Sequence, residues 1–197
     1  TACVEDGKSA IRWIRKNART LGVDTAKVAA GGGSAGGHVA AAIATVPGFE
    51  KDEKTSSVPN ALLLFNPALI LAEVPGKFEV SAEKMASRKE RIGTDPQKIS
   101  PYHHLRKGVP PTIIFHGTND DAVPYHTVQL YEKHAQALGN YCKLVPFKGK
   151  PHGFFNWGRF DNETFRETML ASEHFLAKLG WIKGKSTINA FIKRQAK

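Results

Sequence analysis

The sequence predicts an α/β protein with a mostly parallel central sheet flanked by helices. Three observations support this prediction: short apolar segments alternate with amphipathic ones, no hairpin signal joins neighbouring strands, and the segment Ala61–Phe65 is apolar throughout. A continuously apolar strand is typical of a parallel sheet that is covered on both faces. With 197 residues, the chain has the length of one domain.

Two helices and one strand are predicted in the first quarter of the chain. Residues 5–21 have the spacing of an amphipathic helix, begin with two acids that favour a helix N-terminus and stop before a glycine. The stretch 27–31 is a short strand that runs into a glycine-rich turn. Residues 35–46 are rich in alanine, the strongest helix former, and end before Pro47-Gly48. A polar, loop-like stretch follows at 50–59.

The alternation continues to the end of the chain. After the strand Ala61–Phe65, residues 82–91 form a charged helical piece, and residues 96–105 are irregular. The remaining predicted elements are apolar strands at 112–116 and 141–147 and amphipathic helices at 123–138 and 162–179, each helix ending at a glycine.

The charge pattern argues against a nucleic-acid partner. The chain carries 28 Lys and Arg against 18 Asp and Glu, a net charge of +10, and residues 183–197 hold five basic residues and no acid. A nucleic-acid site usually adds aromatic or glycine-rich recognition elements beside its charge, so we expect these basic residues to lie on solvated helix faces. We predict a main domain over residues 1–182 and a basic C-terminal tail over 183–197, with a short amphipathic helix from Ile188.

Other features exclude further classes. The longest apolar run has only a few residues, so no membrane span is predicted. Cys3 and Cys142 can form neither a disulfide scaffold nor a four-ligand metal site, and His103 and His104 lack partners at ligand spacing. We therefore expect no metal or other cofactor. The first residues show no signal-peptide pattern, which leaves the compartment open.

One glycine-rich segment satisfies two motifs. Gly32-x-Ser34-x-Gly36 matches the nucleophile elbow, a strained strand-to-helix turn that presents a serine hydroxyl above the sheet. Gly31-x-Gly33-x-x-Gly36 matches a dinucleotide fingerprint, which needs a second strand ending in an acid about 20 residues further on. No strand precedes the acids near that distance, which are Glu50, Asp52 and Glu53. The elbow is therefore favoured.

An elbow predicts an acid and then a histidine after later strands. Asp120 and Asp121 follow one predicted strand, and His152 follows the next. In open parallel sheets such groups collect at the carboxyl ends of the strands. Ser34 would attack, His152 would take its proton, and one of the two aspartates would hold the second ring nitrogen. The N–H of Ala35 would stabilise an oxyanion.

Two further histidines lie beside these residues in the sequence. His38 follows Ser34 within the same turn, which cannot place it opposite the serine, so we expect a packing or hydrogen-bonding role. His116 ends its strand, and we expect it to fix the turn that carries Asp120.

Three segments together resemble the α/β-hydrolase superfamily: Gly-Gly-Ser34-Ala-Gly-Gly-His38, His116-Gly-Thr-Asn-Asp120-Asp-Ala-Val-Pro124 and His152-Gly-Phe154. Over nearly the whole chain they are similar to carboxylesterases of the hormone-sensitive-lipase and feruloyl- or acetylxylan-esterase-like type. The resemblance implies the α/β-hydrolase fold and a cofactor-free triad of Ser34, His152 and Asp120, with Asp120 preferred to Asp121. It also implies small-molecule esters as substrates, short-chain or on acetylated or feruloylated sugars.

The resemblance also implies parts that this sequence does not show. Family members have several strands before the first helix, and an early loop donates a second oxyanion N–H. We expect these early strands to be missing, Ala35 alone to serve the oxyanion hole, and a missing N-terminal segment or a homo-oligomer to cover the sheet edge. Two alternatives stay open: a prolyl-oligopeptidase-like serine peptidase, in which an aromatic residue usually replaces Ala35, and a catalytically inactive fragment.

Overall fold

The structure is a computed structural model that describes residues 1–49 and 54–195. The acids of the dinucleotide alternative, Glu50, Asp52 and Glu53, lie outside the described residues. Two short 3-10 helices, Pro96–Ile99 and Pro101–His104, occupy the segment expected to be irregular. The other elements, in chain order, are α1 Ala2–Lys16, α2 Ala18–Leu21, β1 Ala29–Gly33, α3 Ala35–Thr45, β2 Ala61–Phe65, α4 Ala82–Ile92, β3 Thr112–Gly117, α5 Tyr125–Ala137, β4 Cys142–Phe147, α6 Asn162–Lys178 and α7 Ile188–Gln195.

Four strands in the described part of the chain form one parallel sheet, as predicted. Their order across the sheet, β1-β2-β3-β4, is also their order along the chain. Ala29 lies opposite Ala61, Leu62 opposite Thr112, and Thr112 opposite Cys142. Because parallel strands run in the same direction, their four carboxyl ends meet at one edge of the sheet.

Helices cover both faces of this sheet, and side chains alternate between the faces along each strand. On one face, Leu62, Leu64 and Ile114 pack in a core cluster with residues of α3 and α5. On the other face, Ile113 and Phe115 pack in a cluster with Phe175 of α6. A third cluster joins α1 to α3; its buried members are Val4, Ile11, Val28, Ala42, Ile43 and Val46.

Three predicted elements differ from the structure by two residues or more, and the other boundaries agree to within one residue. The single helix expected at residues 5–21 is two helices, α1 and α2, which meet at Asn17. The Asn17 side chain donates to the carbonyl of Trp13 at 2.8 Å, and such local side-chain bonds compete with helix continuation. The strand predicted at 27–31 begins and ends two residues later, since Gly31 and Gly33 pair with Leu63 and Phe65. α5 begins at Tyr125, after Pro124.

The basic tail contains the predicted helix, α7. Its Phe191 ring contacts the rings of Trp157 and Phe165, and Thr187 donates to the Glu173 carboxylate of α6 at 2.9 Å. The tail therefore contacts the main domain through Phe191 and Thr187. Among the helices of the described ranges, none combines the length and the apolar character needed to cross a bilayer.

Candidate active site

The hydrogen-bond ladder of the sheet continues past the strand ends and fixes two site residues. The Ser34 N–H donates to the carbonyl of Phe65 at 2.9 Å, and the Asn66 N–H donates to the carbonyl of Phe115 at 2.7 Å. The sheet edge thus sets the backbone positions of Ser34 after β1 and of Asn66 after β2. Asp120 and His152 follow β3 and β4 on loops of their own.

Ser34 sits in a strained turn between β1 and α3. Its φ of 54° and ψ of −117° lie in a region that non-glycine residues rarely adopt. The turn brings strand and helix so close that a Cβ on Gly32 would lie 2.7 Å from the backbone carbon of Gly36. A Cβ on Gly36 itself would meet no atom within 4 Å. The close approach therefore requires glycine at position 32 and not at position 36.

The buried Asp120 and the half-buried His152 form a hydrogen-bonded pair. The ring Nδ1 of His152 lies 2.7 Å from Oδ2 of Asp120, whose side chain is fully buried. The second carboxylate oxygen, Oδ1, accepts from the backbone N–H groups of Ala122 and Val123 at 3.0 and 2.8 Å. These bonds fix the carboxylate, so Nδ1 of His152 is the donor and Nε2 is the ring's acceptor. Asp121, the alternative acid, is exposed.

Asn66 is a site residue that the sequence analysis missed. It is fully buried with a φ of 36°, and its Oδ1 accepts from the N–H of Gly153, next to His152, at 2.9 Å. Its Nδ2 lies 3.5 Å from Nε2 of His152. Asn66 thus holds the histidine loop against the end of β2. An asparagine directly after a buried strand was the available signal, but Asn66-Pro67 also has the appearance of an ordinary turn.

His116 fixes the acid loop, as predicted. Its Nε2 lies 2.9 Å from the carbonyl of Val123 and 3.3 Å from Oδ2 of Asp120. The ring is fully buried, and within the described residues its Nδ1 has no hydrogen-bond partner. Burial lowers the pKa of His116 below its usual value, although the Val123 carbonyl and the Asp120 charge act in the opposite direction. The neutral ring therefore donates from Nε2.

Ser34 lies at the same sheet edge as Asp120 and His152. Within the described residues, no hydrogen bond joins the Ser34 hydroxyl to the His152 ring. Hydrogen bonds of this kind are often long in the absence of substrate. Ala35 is the first residue of α3, where backbone N–H groups lack partners inside the helix. It is exposed.

A cavity of about 570 Å³ opens beside Ser34. That volume is typical of small-molecule sites. Its wall combines Ser34 and Ala35 with mostly apolar side chains and two arginines of α4: Ser34, Ala35, His38, Ala68, Ile70, Leu71, Phe78, Arg88, Arg91, Ile92, Ile99, Ala122, Val123, Pro124 and Thr127.

The other candidates from the sequence have structural partners. His38 bonds through Nε2 to the carbonyl of Ile99 at 2.8 Å, as expected for a hydrogen-bonding role. Nε2 of His103 lies 2.9 Å from the Glu73 carbonyl, and Nε2 of His104 lies 3.1 Å from that of Gln97. A Cβ on Gly33 would meet the ring of Phe155 at 2.6 Å, so this glycine contacts protein and does not face an open dinucleotide site.

The BD-FAE family model matches residues 1–134. The chain belongs to the BD-FAE family. Its fold is the α/β-hydrolase fold, and its relatives are of the carboxylesterase type, as the sequence resemblance implies.

Solved structures of esterase 2 from Thermogutta terrifontis are similar to this BD-FAE chain. The form phosphonylated by sarin is 48% identical, with a TM-score of 0.88, and the match covers 93% of this chain and 68% of that one. The butyrate-bound form is also 48% identical, with a TM-score of 0.86 over the same shares.

A curated relative is the probable carboxylic ester hydrolase LipM of Mycobacterium tuberculosis, 25% identical over 188 residues. That match covers 88% of this chain and 42% of LipM. The chain spans less than half the length of the curated relatives it matches.

The two elbow glycines give a matched test of the turn. We expect Gly32→Ala to lower the free energy of unfolding by about 1–3 kcal/mol, because the new methyl group collides with backbone. Gly36→Ala should leave the free energy unchanged or raise it by up to about 1 kcal/mol, since alanine favours the helix. Urea unfolding followed by circular dichroism measures both. Equal stability of the two variants would contradict the close approach.

The buried His116 predicts a pH dependence of stability. Its folded-state pKa lies below the unfolded value of about 6.5, so the unfolded chain binds more protons as pH falls below that value. The free energy of unfolding should therefore decrease from pH 7.5 to pH 5.5, and it should decrease less in His116→Gln. Urea titrations at both pH values test this; an identical decrease in the two proteins would show that His116 does not contribute.

Proposed function

We propose that this protein is a serine carboxylic-ester hydrolase that acts through an acyl-enzyme on Ser34. The observation that supports this most is that the strained Ser34 and the Asp120–His152 pair occupy one edge of the sheet, beside a cavity of small-molecule size. Its relatives are named as esterases and as a probable carboxylic ester hydrolase. Short-chain esters, including acetylated or feruloylated sugars, are the substrates we infer.

In the first half-reaction, Nε2 of His152 accepts the Ser34 proton while Oγ attacks the ester carbonyl carbon. Nδ1 keeps its proton and donates it in a hydrogen bond to Asp120, whose carboxylate stabilises the imidazolium that forms. The tetrahedral intermediate then collapses, the bond to the alcohol oxygen breaks, and His152 returns the proton to the departing alcohol. Ser34 Oγ must come within hydrogen-bond distance of Nε2 for this step.

In the second half-reaction, a water molecule is the nucleophile and attacks the acyl group on Ser34. His152 takes a proton from the water, whose oxygen attacks the acyl carbon, and the proton passes to Ser34 Oγ as the carboxylic acid leaves. In both steps the carbonyl oxygen gains negative charge. We assign its stabilisation to the N–H of Ala35 and to the positive end of α3.

The cavity wall indicates how substrates are limited in size. Ile70, Leu71 and Phe78 give it an apolar surface, and Val123 and Pro124 belong to the loop that carries Asp120. A cavity of about 570 Å³ accommodates a short acyl chain or one aromatic ring. This supports small esters over polymeric substrates bound within the cavity.

Substitution of the nucleophile tests the proposal. With p-nitrophenyl acetate, Ser34→Ala should lower kcat/KM at least about a thousandfold, and Asp120→Asn should lower kcat by about 10⁴ through loss of the correct histidine tautomer. Ser9→Ala, on the exposed face of α1, serves as the control and should match the unsubstituted protein.

The alternatives give different results in the same assay. Comparable cleavage of an aminoacyl p-nitroanilide would favour a peptidase. A folded protein without ester hydrolysis, or a Ser34→Ala variant with full activity, would contradict the esterase proposal.

A further inference from the structure

Two arginines of α4 line the same cavity as Ser34. Arg88 and Arg91 are three residues apart on one helix, so their side chains lie on the same helix face. The two residues between them, the exposed Lys89 and Glu90, do not line the cavity. Of the basic side chains of α4, only Arg88 and Arg91 therefore belong to the described cavity wall.

In the part of the chain that the structure describes, no carboxylate balances the charges of this arginine pair. The described residues of the cavity wall include no aspartate or glutamate. In the ranges 1–49 and 54–195, no carboxylate lies within ion-pair distance of Arg88 or Arg91. Glu83 and Lys84 line a neighbouring groove with both arginines, and their opposite charges offset each other. The arginine pair thus gives this part of the cavity a net positive charge.

Arg88 is fixed by one hydrogen bond and has further N–H donors that can bind a ligand. It is half-buried, and its Nη1 donates to the carbonyl of Leu71 at 2.9 Å. A guanidinium has five N–H donors, so most of them remain available to a ligand. Burial lowers the pKa of Arg88, and the charge of Arg91 lowers it further. A bound anion would stabilise the charged guanidinium and so offset the effects of burial and of the Arg91 charge.

The other titratable side chain of the cavity wall, His38, carries no negative charge. Burial lowers its pKa, which favours the neutral ring. Asp120, the carboxylate of the site, directs its oxygens to His152 and to the backbone of its own loop. No group among the described residues thus supplies an anion to the arginine pair, which leaves the ligand as its source.

We propose that the preferred substrates are esters that carry a free carboxylate, which the arginine pair binds while the ester group lies at Ser34. This inference rests on the proposed hydrolase function and narrows it to anionic esters. A guanidinium binds a carboxylate through two parallel hydrogen bonds, and the positive cavity also attracts anions from solution. The carboxylate can belong to the acyl part or to the alcohol part of the ester.

Two matched substrate pairs separate these sources. On the acyl side, monomethyl adipate is compared with methyl hexanoate. On the alcohol side, 4-acetoxybenzoate is compared with its neutral methyl ester, methyl 4-acetoxybenzoate, by release of acetate. In each pair the measured quantity is the ratio of kcat/KM for the anionic ester to that for the neutral one.

The variants are Arg88→Met, Arg91→Gln and, as the matched control, Lys89→Gln, which removes one positive charge from the same helix outside the cavity. For at least one substrate pair we expect each arginine substitution to lower the ratio by about tenfold, the loss of one charged hydrogen-bonded contact. Lys89→Gln, outside the cavity wall, should leave both the ratio and the rate with neutral esters unchanged.

The outcomes distinguish the two proposals. Hydrolysis of neutral esters with the same ratio in all four proteins would overturn the carboxylate inference alone. An equal fall in Lys89→Gln would also overturn it, since it would indicate a general effect of charge. If the folded protein hydrolysed none of the four esters, the hydrolase function would fail, and the carboxylate inference with it.

Discussion

Parallel hydrogen bonding between four strands is the constraint on which the site depends. Ser34, Asn66, Asp120 and His152 each follow a different strand, and these residues are far apart in the sequence. The parallel register brings all four strand ends to one edge. The ladder then extends beyond the strands, because the N–H groups of Ser34 and Asn66 donate to carbonyls of the next strand. Backbone pairing therefore positions the site before any side chain contributes.

A network of buried polar groups completes what the backbone begins. Asp120 receives two N–H donors from its own loop, one bond from His152 and the nearby ring of His116. Each bond restricts the carboxylate to one orientation, and the carboxylate restricts the imidazole. Removing one member leaves the others buried without partners, which costs more than the bond itself contributes. Asn66, at the end of β2, anchors the loop that carries His152.

Local sequence signals predicted the elements and the residues that belong to motifs. The elbow around Ser34 and the positions of Asp120 and His152 follow from turns after apolar strands, where the chemistry depends on residue type and spacing. Asn66 did not stand out, because its role depends on contact with a loop 86 residues away. The position of α4 beside the cavity could not be predicted either. Its charge pattern indicates a solvated helix, and only the tertiary fold places Arg88 in the cavity wall.

A crystal structure of the protein with a phosphonate bound covalently tests the central claim most directly, because the adduct mimics the tetrahedral intermediate. The account predicts phosphorus on Ser34 Oγ, Nε2 of His152 within about 3.2 Å of Oγ or another adduct oxygen, and the Ala35 N–H directed at the phosphoryl oxygen. Nδ1 of His152 should keep its hydrogen bond to the Asp120 carboxylate. An adduct on another side chain, or a His152 ring turned away from Ser34, would contradict the account.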